Sequence, residues 1–228
     1  KNHLKNKESS QFQENAAKAK NKDALLIEQF ETDEVKSKDT CDLKKVADNL
    51  AATGDKKLAI QVYKKAEDKA HDTLDFNWLA YSISETIGDY DWVKRLYERA
   101  ENEPCNVREL CDLADSVSGT LGDLDWVKKI YRSAEEKTEE YCDCCELADA
   151  VYKNLDDKQK TRELYKKAES TAKEISDLCS LAESVYKKFN DSEWATNLYY
   201  KAEKMAKDSP DYCGLADSLC ENLEDKKW

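Results

Sequence analysis

The segment from Leu113 to Glu135 reads LADSVSGTLGDLDWVKKIYRSAE and carries the features that recur along this chain. It begins with an apolar-alanine pair, passes through Gly-Asp, and ends with a tyrosine followed by Ala-Glu. The apolar-alanine pair recurs 33 or 34 residues apart, at Val46-Ala47, Leu79-Ala80, Leu113-Ala114, Leu147-Ala148, Leu181-Ala182 and Leu215-Ala216. A fixed period of this length is typical of stacked repeats rather than of one globule.

The composition favours an all-α fold. Five glycines and two prolines are too few for an all-β chain, and 40% hydrophobic residues are too many for a disordered one. The net charge of -12 argues against direct nucleic-acid binding, because phosphate contacts need clustered Lys and Arg. No apolar run is long enough to cross a membrane. An odd number of cysteines, nine, and no visible secretory signal favour a reducing, cytoplasmic location.

Each repeat has the signals for two helices, here called helix A and helix B. An acid stands four positions before each apolar-alanine pair and should fix the start of helix A; these acids are Asp42, Asp75, Glu109, Asp143, Asp177 and Asp211. Helix A should end in a left-handed turn at Gly54, Gly88, Gly122, Asp156, Asn190 and Glu224. The next residue should cap helix B, and it is Asp55, Asp89, Asp123, Asp157, Asp191 and Asp225.

The domain organisation follows from this period. Residues 1–41 form a polar arm outside the repeat, whose segment Ala16 to Phe30 is either a capping helix or a linker. Residues 42–228 form the repeat array, with units at about 42–74, 75–108, 109–142, 143–176 and 177–210 and a half unit at 211–228. Because the array stops where a further helix B should begin, we expect the chain to be part of a longer protein.

The repeat resembles the tetratricopeptide repeat, whose unit is also a 34-residue helix pair. Phe76, Leu79, Ala80 and Ile83 match the family's helix A positions, and Val93, Tyr97 and Ala100 match those of helix B. The chain departs in the longer spacing from Ala80 to Gly88 and in lacking the family's closing proline. The resemblance implies a right-handed α-α superhelix, or solenoid, of tetratricopeptide-like pairs.

The resemblance also implies a concave groove lined by the A helices. Its lining would comprise Lys44, Asp48, Trp78, Tyr81, Cys111, Asp115, Cys145, Asp149, Cys179, Glu183, Cys213 and Asp217. These residues form an acidic strip edged by thiols and two aromatic rings, which would suit a basic or amphipathic partner segment. Only Lys44 matches the family's carboxylate-clamping positions, so that activity is not expected here. Trp92, Trp126 and Trp194 share one repeat position and should be core wedges.

The cysteines allow two interpretations. Cys111, Cys145, Cys179 and Cys213 recur two positions before the apolar-alanine pair and are either small packing residues or a ladder of groove thiols. Alternatively Cys142, Cys144 and Cys145 with Cys111 form a soft-metal or redox site, although the sequence has no second CxxC pair to complete a zinc site.

We therefore predict a protein-interaction scaffold without catalytic residues or a cofactor. The two histidines, His3 and His71, have no nucleophile and acid arranged around them, and there is no glycine-rich phosphate loop. Two alternatives stay open: a regulatory or sensing repeat domain within a larger enzyme or assembly, and a thiol-based metal or redox module. The partner itself cannot be derived from the fold.

Overall fold

The computed structural model describes residues 39–207 and 211–216. Within these residues the chain is all-α, without strands, which confirms the predicted fold class at this level. The predicted capping segment Ala16 to Phe30 lies outside the described residues. The helices are α1 (Thr40–Ala52), α2 (Lys56–Lys69), α3 (Thr73–Thr86), α4 (Tyr90–Asn102), α5 (Val107–Leu121), α6 (Leu124–Glu136), α7 (Tyr141–Leu155), α8 (Lys158–Thr171), α9 (Ile175–Phe189) and α10 (Ser192–Met205), and residues 211–216 are also helical.

The A helices are α1, α3, α5, α7 and α9, and they begin one turn earlier than predicted. The acids expected to fix their starts are the third helical residues, while the caps are Asp39, Asp72, Asn106, Glu140 and Glu174. The acids still satisfy free amides. The Glu109 carboxylate accepts the Asn106 backbone N–H at 2.8 Å, and the Asn106 side chain accepts the Glu109 N–H at 2.9 Å. This reciprocal capping box holds the first turn from both sides.

The B helices are α2, α4, α6, α8 and α10, and each begins at the predicted aspartate. The aspartate carboxylate accepts a hydrogen bond from the backbone N–H of the third helical residue. In α6, for example, the Trp126 N–H donates to the Asp123 carboxylate at 3.0 Å. The same bond is made by Asp55, Asp89, Asp157 and Asp191. Each such cap contributes about 1 kcal/mol to helix stability.

The turns between A and B helices adopt the predicted left-handed conformation. Gly54, Gly88 and Gly122 have φ of 91°, 78° and 64°. Asp156 and Asn190 take the same place with φ of 47° and 53°. This backbone geometry closes each pair within a few residues and sets the two helices side by side.

The first of two structural units ends at Glu103 and contains α1 to α4. Its pairs are α1 with α2 and α3 with α4, and α3 also packs against α1 and α2. The apolar side of each helix is buried, with Ala47, Tyr63, Leu79 and Tyr97 fully inaccessible to solvent. Thus the repeat tyrosines and the apolar-alanine positions form the core, as the helical periodicity predicts.

The second unit begins at Pro104 and contains α5 to α10. It has three packed pairs, α5 with α6, α7 with α8 and α9 with α10; α7 also contacts α5 and α6, and α9 contacts α8. Leu113, Ala148, Leu181 and Tyr199 are at most 1% exposed in its core. Across the described part of the chain, no helix is long and apolar enough to traverse a lipid bilayer.

Candidate binding surface on the A helices

Two aromatic side chains are the most exposed apolar groups at the predicted groove positions. Trp78 is 48% and Tyr81 is 56% exposed, and both project from α3. Because they are three residues apart on one helix, they lie on the same face. Exposing large aromatic rings to water is unfavourable, and exposed rings of this kind are common anchors of protein interfaces.

Asp48 of α1 belongs to a polar network that reaches the core of the first unit. It accepts a hydrogen bond from the Tyr63 hydroxyl and pairs with the Lys44 ammonium at 2.9 Å. The Tyr63 hydroxyl also lies 3.0 Å from the Thr86 hydroxyl. Burial, together with the Asp48 carboxylate, raises the pKa of Tyr63, so this hydroxyl stays protonated as a donor.

Asp115 of α5 has the equivalent role in the second unit. Its carboxylate accepts hydrogen bonds from the Lys153 ammonium, at 2.5 Å, and from the Asn154 side-chain amide. The same amide donates to the Tyr131 hydroxyl at 2.5 Å, and that hydroxyl donates to the Ala150 carbonyl at 3.1 Å. In the second unit Asn154 therefore bridges Asp115 and the repeat tyrosine Tyr131. In the first unit no bridge stands between the acid and the tyrosine, because the Tyr63 hydroxyl donates directly to Asp48.

Asp149 of α7 accepts a hydrogen bond from Tyr165 and pairs with the Lys188 ammonium at 3.0 Å. Lys188 also stands over the Tyr165 and Tyr152 rings, 5.7 and 6.0 Å from their centroids. Burial and the Asp149 carboxylate raise the pKa of Tyr165. The lysine therefore ties the acid, two aromatic rings and helix α9 together.

These ion pairs correct the expectation of a bare acidic strip. Glu183 pairs with Lys187, one turn along α9, so each of the four strip acids that the structure describes has a lysine partner. Asp217 lies outside the described residues. Of the four lysines, Lys44 was predicted to line the groove, whereas Lys153, Lys187 and Lys188 were not; Lys44 and Lys187 stand four residues from their acids. The other two stand 38 and 39 residues beyond theirs, which is one repeat plus about one helical turn.

The predicted ladder of groove thiols is not a uniform surface. Cys111 and Cys179 are only 5% and 7% exposed, Cys145 is half-buried, and Cys213 alone is exposed. Burial, with a smaller contribution from the Glu146 charge, raises the pKa of Cys111 to about 12. Burial likewise raises the pKa of Cys145 to about 12. Cys111 and Cys145 are thus packing residues between helices and hold protonated, weakly reactive thiols at neutral pH.

The candidate cysteine metal site does not assemble. Cys144 is completely buried, whereas Cys142, two residues away, is exposed, so their sulfur atoms face different surroundings. Among the described residues, no three of Cys111, Cys142, Cys144 and Cys145 bring their sulfurs within 4.8 Å of one another. The physical reason is helical geometry, because neighbouring residues on a helix point about 100° apart.

One other cluster of metal-ligating groups, His71, Asp72 and Asp75, lies at the start of α3. Its two carboxylates accept hydrogen bonds from backbone N–H groups at the N-terminus of the helix. Asp72 accepts the Asp75 backbone N–H at 2.8 Å, and Asp75 accepts the His71 backbone N–H at 3.3 Å. The cluster is therefore explained as a helix cap, and it gives no argument for a bound ion.

No protein-family model matches this chain, and a search of curated proteins returns no match. The resemblance to tetratricopeptide repeats accordingly rests on the residue pattern and on the packed helix pairs. The described residues offer two exposed aromatic rings on α3 of the first unit and ion-paired acids on A helices of both units. Surfaces of this kind can hold an extended or helical segment.

Proposed function

We propose that this chain is a tetratricopeptide-like solenoid that binds a segment of another protein on its A helices. The 34-residue period, the packed helix pairs and the left-handed turns between them support the solenoid. A reducing, cytoplasmic location is part of the proposal, and the odd total of nine cysteines supports it.

The observation that carries the binding proposal is the exposure of Trp78 and Tyr81. Both rings are about half exposed on one face of α3. A partner that covered them would bury aromatic surface, at about 25 cal/mol for each Å² removed from water. Such rings are also the residue types that dominate interface energies.

The proposed partner is an amphipathic segment with basic residues. Asp149 and Glu183 keep 53% and 39% of their side-chain surface exposed, so a partner cation can reach them. It must compete with Lys188 and Lys187, however, and this competition limits the electrostatic gain. We therefore expect most of the affinity to come from aromatic contacts, with a modest dependence on salt.

The test compares two variants in quantitative affinity capture from lysate of the source cells. Trp78→Ala with Tyr81→Ala removes both proposed anchors, and Tyr90→Ala removes an equally exposed ring from helix B of the same unit. We expect a specific protein to be retained by the parent and by Tyr90→Ala and to be lost from the double variant. Equal retention by all three would reject the A-helix surface.

A charge variant tests the basic character of the partner. Glu183→Gln removes one acid that pairs with Lys187 on the surface of α9, and it leaves the tyrosine networks intact. The captured protein should bind this variant more weakly, and added salt should narrow the difference. Tighter binding to Glu183→Gln would show that the partner segment is acidic at this position.

A further inference from the structure

In the first unit a tryptophan side chain fills the contact between the successive B helices α2 and α4. Such a contact between successive B helices is here called a seam. Trp92, the third residue of α4, is 5% exposed and packs edge-on against the Tyr63 ring, with 6.4 Å between centroids. Its indole N–H donates to the Glu67 carboxylate of α2 at 2.7 Å, and Arg99 pairs with the same carboxylate at 2.6 Å. The ring thus closes the α2–α4 seam.

The seam between α8 and α10 is built in the same way. The Trp194 indole N–H donates to Glu169 at 2.9 Å, and Lys201 pairs with that carboxylate at 2.5 Å. The Trp194 ring stacks on Phe189, with 6.4 Å between centroids. Trp194 is only half-buried, less than the core-wedge prediction implied, but it covers the same place in the repeat.

The seam between α6 and α8 keeps the glutamate carboxylate, here Glu135, but has a lysine in place of the tryptophan ring. The 34-residue register places Lys160 where Trp194 and Trp92 stand. Its ammonium donates to Glu135 at 2.6 Å, so the polar contact is preserved by a narrow side chain. Burial disfavours the charged form of Lys160, but Glu135 and Glu163 outweigh it, and the pKa of this lysine is raised.

A cavity of about 440 Å³, the Lys160 pocket, lies at this seam. Its apolar walls are Leu124, Leu147, Val151, Leu155 and Leu164. The groove beside Trp92 has a similar volume, about 460 Å³, but charged side chains, Ile60 and the Trp92 ring line it. Leu79 and Ile83, the counterparts of Leu147 and Val151, do not line that groove.

The rim of the Lys160 pocket is positively charged. Lys128 and Arg132 lie one turn apart on α6, line the pocket and are exposed. The acids of the rim are already engaged, since Glu135 pairs with Lys160 and Asp157 caps α8 through the Lys160 backbone N–H at 2.9 Å. An acidic ligand would meet the Arg132 guanidinium beside an apolar cavity and would compete with Asp125 for Lys128, whose ammonium lies 3.4 Å from the Asp125 carboxylate.

We propose that the Lys160 pocket docks an acidic segment of another protein, which inserts one aromatic side chain. The occupant is aromatic because the chain itself puts an indole at the equivalent place in two other seams. It is acidic because Lys128 and Arg132 flank the opening. The volume lies within the usual range of ligand pockets, about 300–1,000 Å³. The pocket is lined by residues of α6, α7 and α8, and it contains neither Trp78 nor Tyr81, the anchors of the binding surface proposed above.

The test records methyl NMR spectra of the full chain with labelled leucine and valine. The probe is a short capped peptide with tryptophan between glutamates, and its controls carry alanine for tryptophan or lysines for the glutamates. We expect the tryptophan-glutamate peptide to shift the methyl signals of Leu124, Leu155 and Leu164. Both control peptides should bind at least about tenfold more weakly, since they lack the anchor or the matching charge.

Two sets of variants identify the pocket as the binding site. Lys160→Trp should fill the seam from within and abolish the shifts, while Lys166→Trp, an exposed change on the same helix, should preserve them. Lys128→Glu with Arg132→Glu changes only the exposed rim and should weaken binding even if Lys160→Trp does not fold.

Three outcomes would overturn the proposal. The first is that the peptide leaves these methyl signals unmoved, and the second is that Lys160→Trp folds and binds it as the parent does. The third is that the same signals shift with protein concentration alone, which would mean that a second copy of this chain occupies the pocket.

Discussion

Replacing Gly122 with alanine isolates the energetic role of the left-handed turn. Gly122 has φ of 64°, and a Cβ atom added there would meet nothing within 4 Å. The substitution therefore creates backbone strain without a steric clash with neighbours. A left-handed residue other than glycine costs about 1–2 kcal/mol, and the lower entropy of the unfolded alanine chain returns about 0.4–1 kcal/mol.

The net expectation is a destabilisation of about 1 kcal/mol. For a chain of this size it should lower the thermal midpoint by about 2–4 °C. Gly119 supplies the matched control, since it lies in the same α5 helix, is exposed, and also has open space where a Cβ would be. There alanine is favoured in the helix by about 0.5–1 kcal/mol, so Gly119→Ala should raise the midpoint.

Thermal and urea unfolding followed by circular dichroism would measure both variants. The two changes should have opposite signs although they are three residues apart and chemically identical. A stabilising Gly122→Ala, with the same sign as Gly119→Ala, would refute the assigned position of the left-handed turn and with it the register of the repeat.

Three further changes test the interior. Burial and the nearby Asp149 carboxylate raise the pKa of Tyr165. Its contribution to the free energy of unfolding should therefore be complete below about pH 10 and fall as the pH rises further. Tyrosinate absorbance and loss of helicity should appear together, and ionisation of Tyr165 while the helices are still intact would contradict this. Thiol labelling followed by mass spectrometry should modify Cys142 long before Cys111, and equal rates would contradict the burial of the latter. Arg162→Lys should cost about 1 kcal/mol in urea unfolding, because the planar guanidinium 4.7 Å from the Phe189 ring is lost; an unchanged midpoint would show that this contact contributes nothing measurable.

The features that repeat in sequence were the ones that could be predicted. The helix pairs, the turns from Gly54 to Asn190 and the aspartate caps from Asp55 to Asp191 are all confirmed. Each depends on local rules, namely the helical period, the left-handed preference of glycine and asparagine, and the capping preference of aspartate. The A helices start one turn before the predicted residues. A capping box contains two polar residues three positions apart, and the cap is the first of them, whereas the sequence pattern pointed to the second.

The surface could be predicted only in part. Trp78 and Tyr81 are exposed, as the resemblance implied, whereas Cys111 and Cys179 are buried. The difference follows from the position on the helix: the residue two before the apolar-alanine pair is buried at Asn77, Cys111 and Cys179, whereas the residue just before the pair is exposed at Trp78, Asp112 and Ser180. The pairing of Asp149 with Lys188 depends on contacts between successive A helices, and the pattern of a single repeat does not contain it.

The Lys160 pocket shows why a departure from a repeat pattern is informative. Tryptophan stands at this repeat position as Trp92, Trp126 and Trp194, and Lys160 takes the same place between α6 and α8. A lysine side chain fills less of that contact than an indole ring does. The sequence shows this replacement, but only the packed structure shows that a pocket lies there.

The most direct test of the proposed binding surface is site-specific photo-crosslinking in the source cells. A photoreactive phenylalanine analogue replaces Tyr81, which is 56% exposed on α3, or in a parallel culture Tyr90, which is 55% exposed on α4. The account predicts a covalent adduct with a specific protein from position 81 and none with that protein from position 90. Adducts of equal yield from both positions, or from position 90 alone, would contradict it.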